Sequence, residues 1–106
     1  MLSEVDIKSA VKKLVEELSP QKIILFGSYA RDEANDYSDL DLLVVQPENY
    51  TNKMASFIKA YDSIQYLGIP TDILLYSSDS FAKKSNWCSN AAYWAAREGK
   101  VLYEKP

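Results

Sequence analysis

Two aspartates stand at alternate positions in Asp39-Leu40-Asp41, at the mouth of the apolar run Leu42-Leu43-Val44-Val45. Asp is depleted in strands. Residues at i and i+2 of a strand face the same way, so both carboxylates belong on one face. Like charges that close repel, and they raise a pKa unless something positive sits between them. A divalent cation is the usual remedy. A hard ion such as Mg²⁺ takes carboxylate oxygens and leaves room for phosphate oxygens.

Gly27-Ser28 supplies the matching grip. Glycine lets the backbone come close to a ligand. Ser28 offers a hydroxyl and a backbone N–H. The spacing predicts about two helical turns over 28–34, with Ser28 near their start. Such an end carries unsatisfied N–H groups and a positive dipole, which suit phosphate. Arg31, one turn on, would add a charge-assisted contact to the same phosphates. A surface ion pair accounts for Arg31 equally well.

The third carboxylate is Asp72, in Thr71-Asp72-Ile73-Leu74-Leu75. A capping or turn role after Pro70 is its plainer reading. Likewise, Asp39 and Asp41 could be solvated residues at a strand entry. Taken together, three carboxylates can hold two cations roughly 3.5–4 Å apart. Asp72, nearest the incoming hydroxyl, is the natural general base. The reaction expected is transfer of a nucleoside monophosphate with release of pyrophosphate.

These residues need elements to position them. Ser3 and Asp6 form a plausible capping box, and Ile7, Ala10, Val11, Leu14, Val15 and Leu18 repeat at helical spacing until Pro20. The run 22–26 reads as a buried strand ending in Gly27. Residues 39–45 make the second strand and 71–76 the third. Between them, 52–67 has an amphipathic helical pattern stopped by Gly68. A polar turn at 77–80 caps a helix near Asp79. A last helix is expected over 86–98, and 101–103 adds a possible fourth strand. The class is α/β (α+β): a small mixed sheet of three to four strands flanked by helices, in one domain over 1–106. If strands two and three run parallel and strand one runs antiparallel to strand two, Gly27-Ser28, Asp39, Asp41 and Asp72 gather at one sheet edge.

Composition narrows the chemistry. The 106 residues contain no His and one Cys. Ser-His-Asp chemistry and most zinc sites are thereby removed, and Cys88 has no base. Carboxylates must carry the work. The single Cys excludes an internal disulfide and argues for a reducing, cytoplasmic setting. The net charge is −3 with scattered Lys and Arg, so direct nucleic-acid binding is not expected. No long apolar run suggests a membrane span. Little chain is left for an acceptor-binding domain, so the acceptor is expected on a partner. Trp87, Tyr93 and Trp94 are assigned to core packing ahead of a partner interface. Cys88 is assigned to the interior as a small hydrophobe.

The pattern Gly27-Ser28, ten residues, then Asp39-x-Asp41 resembles the signature of the DNA polymerase beta-like nucleotidyltransferase superfamily. Phe26-Gly27-Ser28-Tyr29-Ala30-Arg31, the run 38–45 and Arg97-Glu98-Gly99-Lys100-Val101-Leu102-Tyr103 are similar to its minimal nucleotidyltransferase (MNT) branch. A chance match to the Gly-Ser and Asp-x-Asp spacing is roughly one in a thousand from average residue frequencies. The resemblance implies the nucleotidyltransferase fold, Mg²⁺ at Asp39, Asp41 and Asp72, and triphosphate at Gly27 and Ser28. Many MNT proteins are antitoxins paired with a HEPN-domain toxin. Resemblance to those implies ATP as donor and AMP transfer to a tyrosine of such a toxin. Two alternatives stay open: a non-catalytic antitoxin that acts by binding, and a nucleotidyltransferase for a small molecule such as an aminoglycoside.

Overall fold

The computed structural model describes residues 2–47 and 54–106. Its first helix, α1 (Glu4–Leu18), begins as the sequence requires: Ser3 and Asp6 form a reciprocal capping box. Ser19 then takes a left-handed conformation (φ 46°) and returns its N–H to Val15. That cap ends the helix before the buried Pro20.

Strand β1 (Lys22–Phe26) follows, then β2 (Leu40–Gln46). Helix α2 (Met54–Tyr66) leads through Gly68 to β3 (Thr71–Ser77). The beginning expected for α2, at 52–53, lies outside the described residues. Helix α3 (Ser78–Lys84) is capped by Ser77, as the polar turn implied. Helix α4 (Ala91–Glu98) and β4 (Lys100–Glu104) complete the chain.

The sheet order is β3-β2-β1-β4. β2 and β3 are parallel, while β1 is antiparallel to both β2 and β4. The expected mixed sheet is therefore present, with four strands. β2 is a central strand buried on both faces, which is why it reads as a near-continuous apolar run.

Alternation along β2 sorts the two cores. Leu40, Leu42 and Val44 face α1 and α2, packing with Leu14, Leu18, Ala60 and Ile64. Leu43 and Val45 face the other side, with Ile24 of β1 and with Ala92 and Ala95 of α4. Asp41 shares the parity of Leu43 and Val45. It therefore lies on the face that α3 and α4 cover.

Four expectations fail. Residues 28–34 form no helix; Ser28–Asp32 is a turn closed by Asp32 in a left-handed conformation (φ 57°). The last helix starts at Ala91, because the Asn90 side chain accepts from the Ala92 N–H and caps it there. Trp87 therefore lies ahead of that helix. Trp87 and Trp94 are 58% and 47% exposed, so neither is a core residue, and Cys88 is exposed too. The small residues Ala92 and Ala95 do the packing against Ile24, Leu43 and Val45 of the sheet.

Candidate active site

β1 ends at Phe26, whose antiparallel partner is Asp41. Asp41 is in turn the parallel partner of Asp72. Aligned partners in a sheet project from the same face, so the Asp41 and Asp72 carboxylates share one. Asp39, expected as the first residue of the strand, lies one residue before the observed β2 and is exposed. Gly27 follows β1 with φ +74°, and a methyl group on it would overlap the Asp41 carboxylate. The absence of a side chain at Gly27 is what lets the turn lie against Asp41.

The turn itself is a single tight coil. The N–H groups of Ala30 and Arg31 both donate to the Gly27 carbonyl, and that of Glu33 donates to Ser28. Among the described residues the Ser28 and Tyr29 N–H groups find no backbone acceptor. A one-turn concavity of amides can hold an anion without a helix behind it. The helix dipole expected at Ser28 is absent.

Two residues that sequence reasoning passed over fix this turn. Tyr29 and Ala30 are buried in the α1/α2 core. The Tyr29 hydroxyl also accepts from the Leu2 N–H at 3.0 Å. The signal was the apolar pair inside an otherwise polar loop. With Tyr29 and Ala30 turned inward, Ser28 remains half-exposed beside the carboxylates.

Arg31 does not stand free. Its Nε lies 3.2 Å from Glu33 and its guanidinium 3.9 Å from Glu98. Even so, it is near enough to Asp41 to lower that group's pKa. The opposing influences win. Burial first, then Asp72, then Asp39, hold the Asp41 carboxyl above the ordinary carboxylate range.

Among the described residues, no three acidic or thiol side chains already converge as a closed metal cage. The donor set nevertheless fits a hard divalent ion. Its oxygens are carboxylate, two of them come from adjacent strands, and Asp41 is hard to ionise beside Asp72 and Asp39 until positive charge arrives. An open set also leaves coordination positions for phosphate oxygens.

A cavity of about 500 Å³ opens beside the turn, lined by Phe26, Gly27, Arg31, Ala91, Trp94 and Glu98. A larger one, about 700 Å³, lies between α1 and β4; neither cavity is lined by Asp39, Asp41 or Asp72. The smaller adjoins the phosphate turn, which it shares at Gly27. Among the described residues no helix is long and apolar enough to cross a membrane.

The chain is similar to known proteins in sequence and in fold. The family described as nucleotidyltransferase domain matches residues 7–93. A Methanocaldococcus jannaschii protein, provisionally named a protein adenylyltransferase, is 32% identical over 102 residues, covering 91% of this chain and 97% of that protein. The protein adenylyltransferase MntA of Aphanizomenon flos-aquae is 35% identical over 92 residues, covering 79% of this chain and 57% of that protein. Among solved structures, a toxin–antitoxin with AMP-PNP has a chain with TM-score 0.62 at 24% identity, covering 98% of this chain and 75% of that one. A tri-AMPylated Shewanella oneidensis HEPN toxin in complex with MNT antitoxin has another with TM-score 0.62 at 19% identity, covering 98% and 74%. At these identities the structures speak for the fold.

Proposed function

This chain belongs to the nucleotidyltransferase domain family and is a nucleotidyltransferase, and from that premise we propose that it moves AMP from ATP to a hydroxyl of a HEPN-domain toxin, acting as its antitoxin. The observation that carries the site assignment is the register Phe26–Asp41–Asp72, with Gly27 packed on Asp41. The relatives' names support a protein acceptor. The fold neighbours support a HEPN partner and a bound ATP analogue.

In this reading Ser28 and the amides of Ser28 and Tyr29 grip the triphosphate. Asp39, Asp41 and Asp72 hold Mg²⁺, two ions being the number that three carboxylates can share. The bound metal would supply charge neutralisation of the phosphates. Asp72, exposed at the rim of the site, takes the proton of the acceptor hydroxyl. The acceptor oxygen bonds to the α-phosphorus, the bond from that phosphorus to the bridging oxygen breaks, and pyrophosphate leaves with the electron pair. The acceptor is held by the partner.

The test is a labelling reaction with α-labelled ATP, Mg²⁺ and a HEPN-domain toxin as the candidate partner. Label should appear on the partner and disappear with Asp39→Asn or Asp41→Asn. Neutralisation of the partner that survives both substitutions, without label, would replace catalysis with inhibition by binding alone.

A further inference from the structure

The 500 Å³ cavity beside the turn falls within the size range of small-molecule pockets. Its far wall is one stripe of α4. Ala91, Trp94 and Glu98 recur at i, i+3 and i+7, while Ala92 and Ala95 on the opposite side pack toward Ile24. Its near wall is Phe26 at the end of β1, followed by the bare backbone of Gly27.

Trp94 is set up in an unusual way for an exposed aromatic. Its indole N–H donates to the Cys88 carbonyl at 3.0 Å. Its ring meets Tyr93 edge-on, with centroids 5.0 Å apart at 78°. Tyr93 in turn lies under the Arg97 guanidinium, 3.7 Å from its centroid. The indole is held at its polar atom and by its neighbour, yet remains 47% exposed. An aromatic face that is already ordered loses little conformational freedom when a flat ligand covers it. The rim of the cavity carries the Arg31–Glu98 pair, which offers one donor group and one acceptor group.

We propose that this cavity is the nucleoside pocket of the enzyme, with the donor's base stacked on Trp94 between α4 and Phe26. The assignment rests on the nucleotidyl-transfer reading above. Gly27 joins the two parts of the site: it lines the cavity, and the next residue, Ser28, is where the triphosphate begins. A nucleotide laid on the turn therefore has its base directed into an aromatic slot already built. Trp94, not the turn, separates nucleotides from bare polyphosphate.

Two ligands distinguish this assignment from the reading beneath it. ATP–Mg²⁺ and tripolyphosphate–Mg²⁺ are titrated into the intact chain and into Trp94→Ala by calorimetry. Base stacking is expected to make the variant bind ATP about tenfold or more weakly. Tripolyphosphate binding stays within about twofold, and Trp94→Phe keeps most of the ATP affinity. In a Trp87→Phe background, ATP quenches the remaining indole fluorescence and tripolyphosphate does not. Unchanged ATP binding in Trp94→Ala, equal weakening of both ligands, or no selective quench overturns the pocket. If the unaltered protein binds neither ligand, the phosphate turn itself is misassigned and the pocket falls with it.

Discussion

Asp41 and Asp72 are direct partners in the parallel ladder between β2 and β3, and their carboxylates leave the same face of the sheet. The pair works against the stability of the fold when no cation is present. Burial and the Asp72 and Asp39 charges raise the folded-state pKa of Asp41. The folded chain is thus disfavoured by ionisation of this group. The penalty is absent below the ordinary carboxylate pKa, grows as pH rises through the raised folded-state value, and is complete above it. In EDTA at pH 7, Asp41→Asn should raise Tm, because the substitution removes the group whose ionisation disfavours the folded chain. The difference between variant and parent should shrink towards zero as pH approaches 4. Thermal melts across pH measure it, and a variant less stable at every pH would refute the strain.

The crowded carboxylates also set the response to metal. Mg²⁺ with ATP should raise the Tm of the parent protein by mass action, because ligand binds the folded state. Asp41→Asn and Asp72→Asn should lose most of that rise while remaining folded. EDTA should abolish transfer. Activity with EDTA equal to that with Mg²⁺ would remove the metal from the proposal.

Gly27→Ala combines two faults in one methyl group. The backbone is at φ +74°, and the new carbon overlaps the Asp41 carboxylate. The strain should cost about 1–3 kcal/mol. The larger effect is on chemistry, since displacement of a reacting group by an ångström costs on the order of a hundredfold in rate. Urea denaturation and kcat together test this; a variant with normal kcat would show that the turn and Asp41 are not functionally coupled.

Tyr29 should matter more for affinity than for chemistry. Tyr29→Phe removes the hydrogen bond from the Leu2 N–H and should cost about 1 kcal/mol. Tyr29→Ala also empties a core position and should cost about 3 kcal/mol or more. With its anchor gone the Ser28 turn loosens, so KM for ATP should rise in Tyr29→Ala well beyond its rise in Tyr29→Phe. Equal KM values in both would confine Tyr29 to stability.

The candidate site could be read from residue types because charges out of place are conspicuous: Asp41 and Asp72 stand in otherwise apolar strands, and Asp39 stands just before one. Parallel pairing across α2 and antiparallel pairing of β1 then bring them to one edge, as expected of so short a sheet. The helix over 28–34 failed because capping residues and an Arg look alike in a helix start and in a tight turn. Tertiary packing decided it: Tyr29 and Ala30 are drawn into the core, and Asp32 takes the left-handed conformation that ends the coil. Trp94 was misplaced for a related reason. Helical periodicity assigns large apolar residues inward, but the face of α4 that meets the sheet carries Ala92 and Ala95.

Gln46 marks the last place where polar chemistry and burial disagree. It ends β2, is only 2% exposed, and its side-chain oxygen has no partner among the described residues. A buried acceptor without a donor carries a desolvation cost of about 1–3 kcal/mol. Gln46→Leu keeps much of the volume and removes the orphan, so stability should hold or rise by about 1 kcal/mol. Gln46→Ala removes the orphan too but leaves space behind, and should fall below Gln46→Leu. Urea midpoints at unchanged m separate the cases. A loss above about 1 kcal/mol in Gln46→Leu would mean that the amide is satisfied after all and helps to terminate the strand.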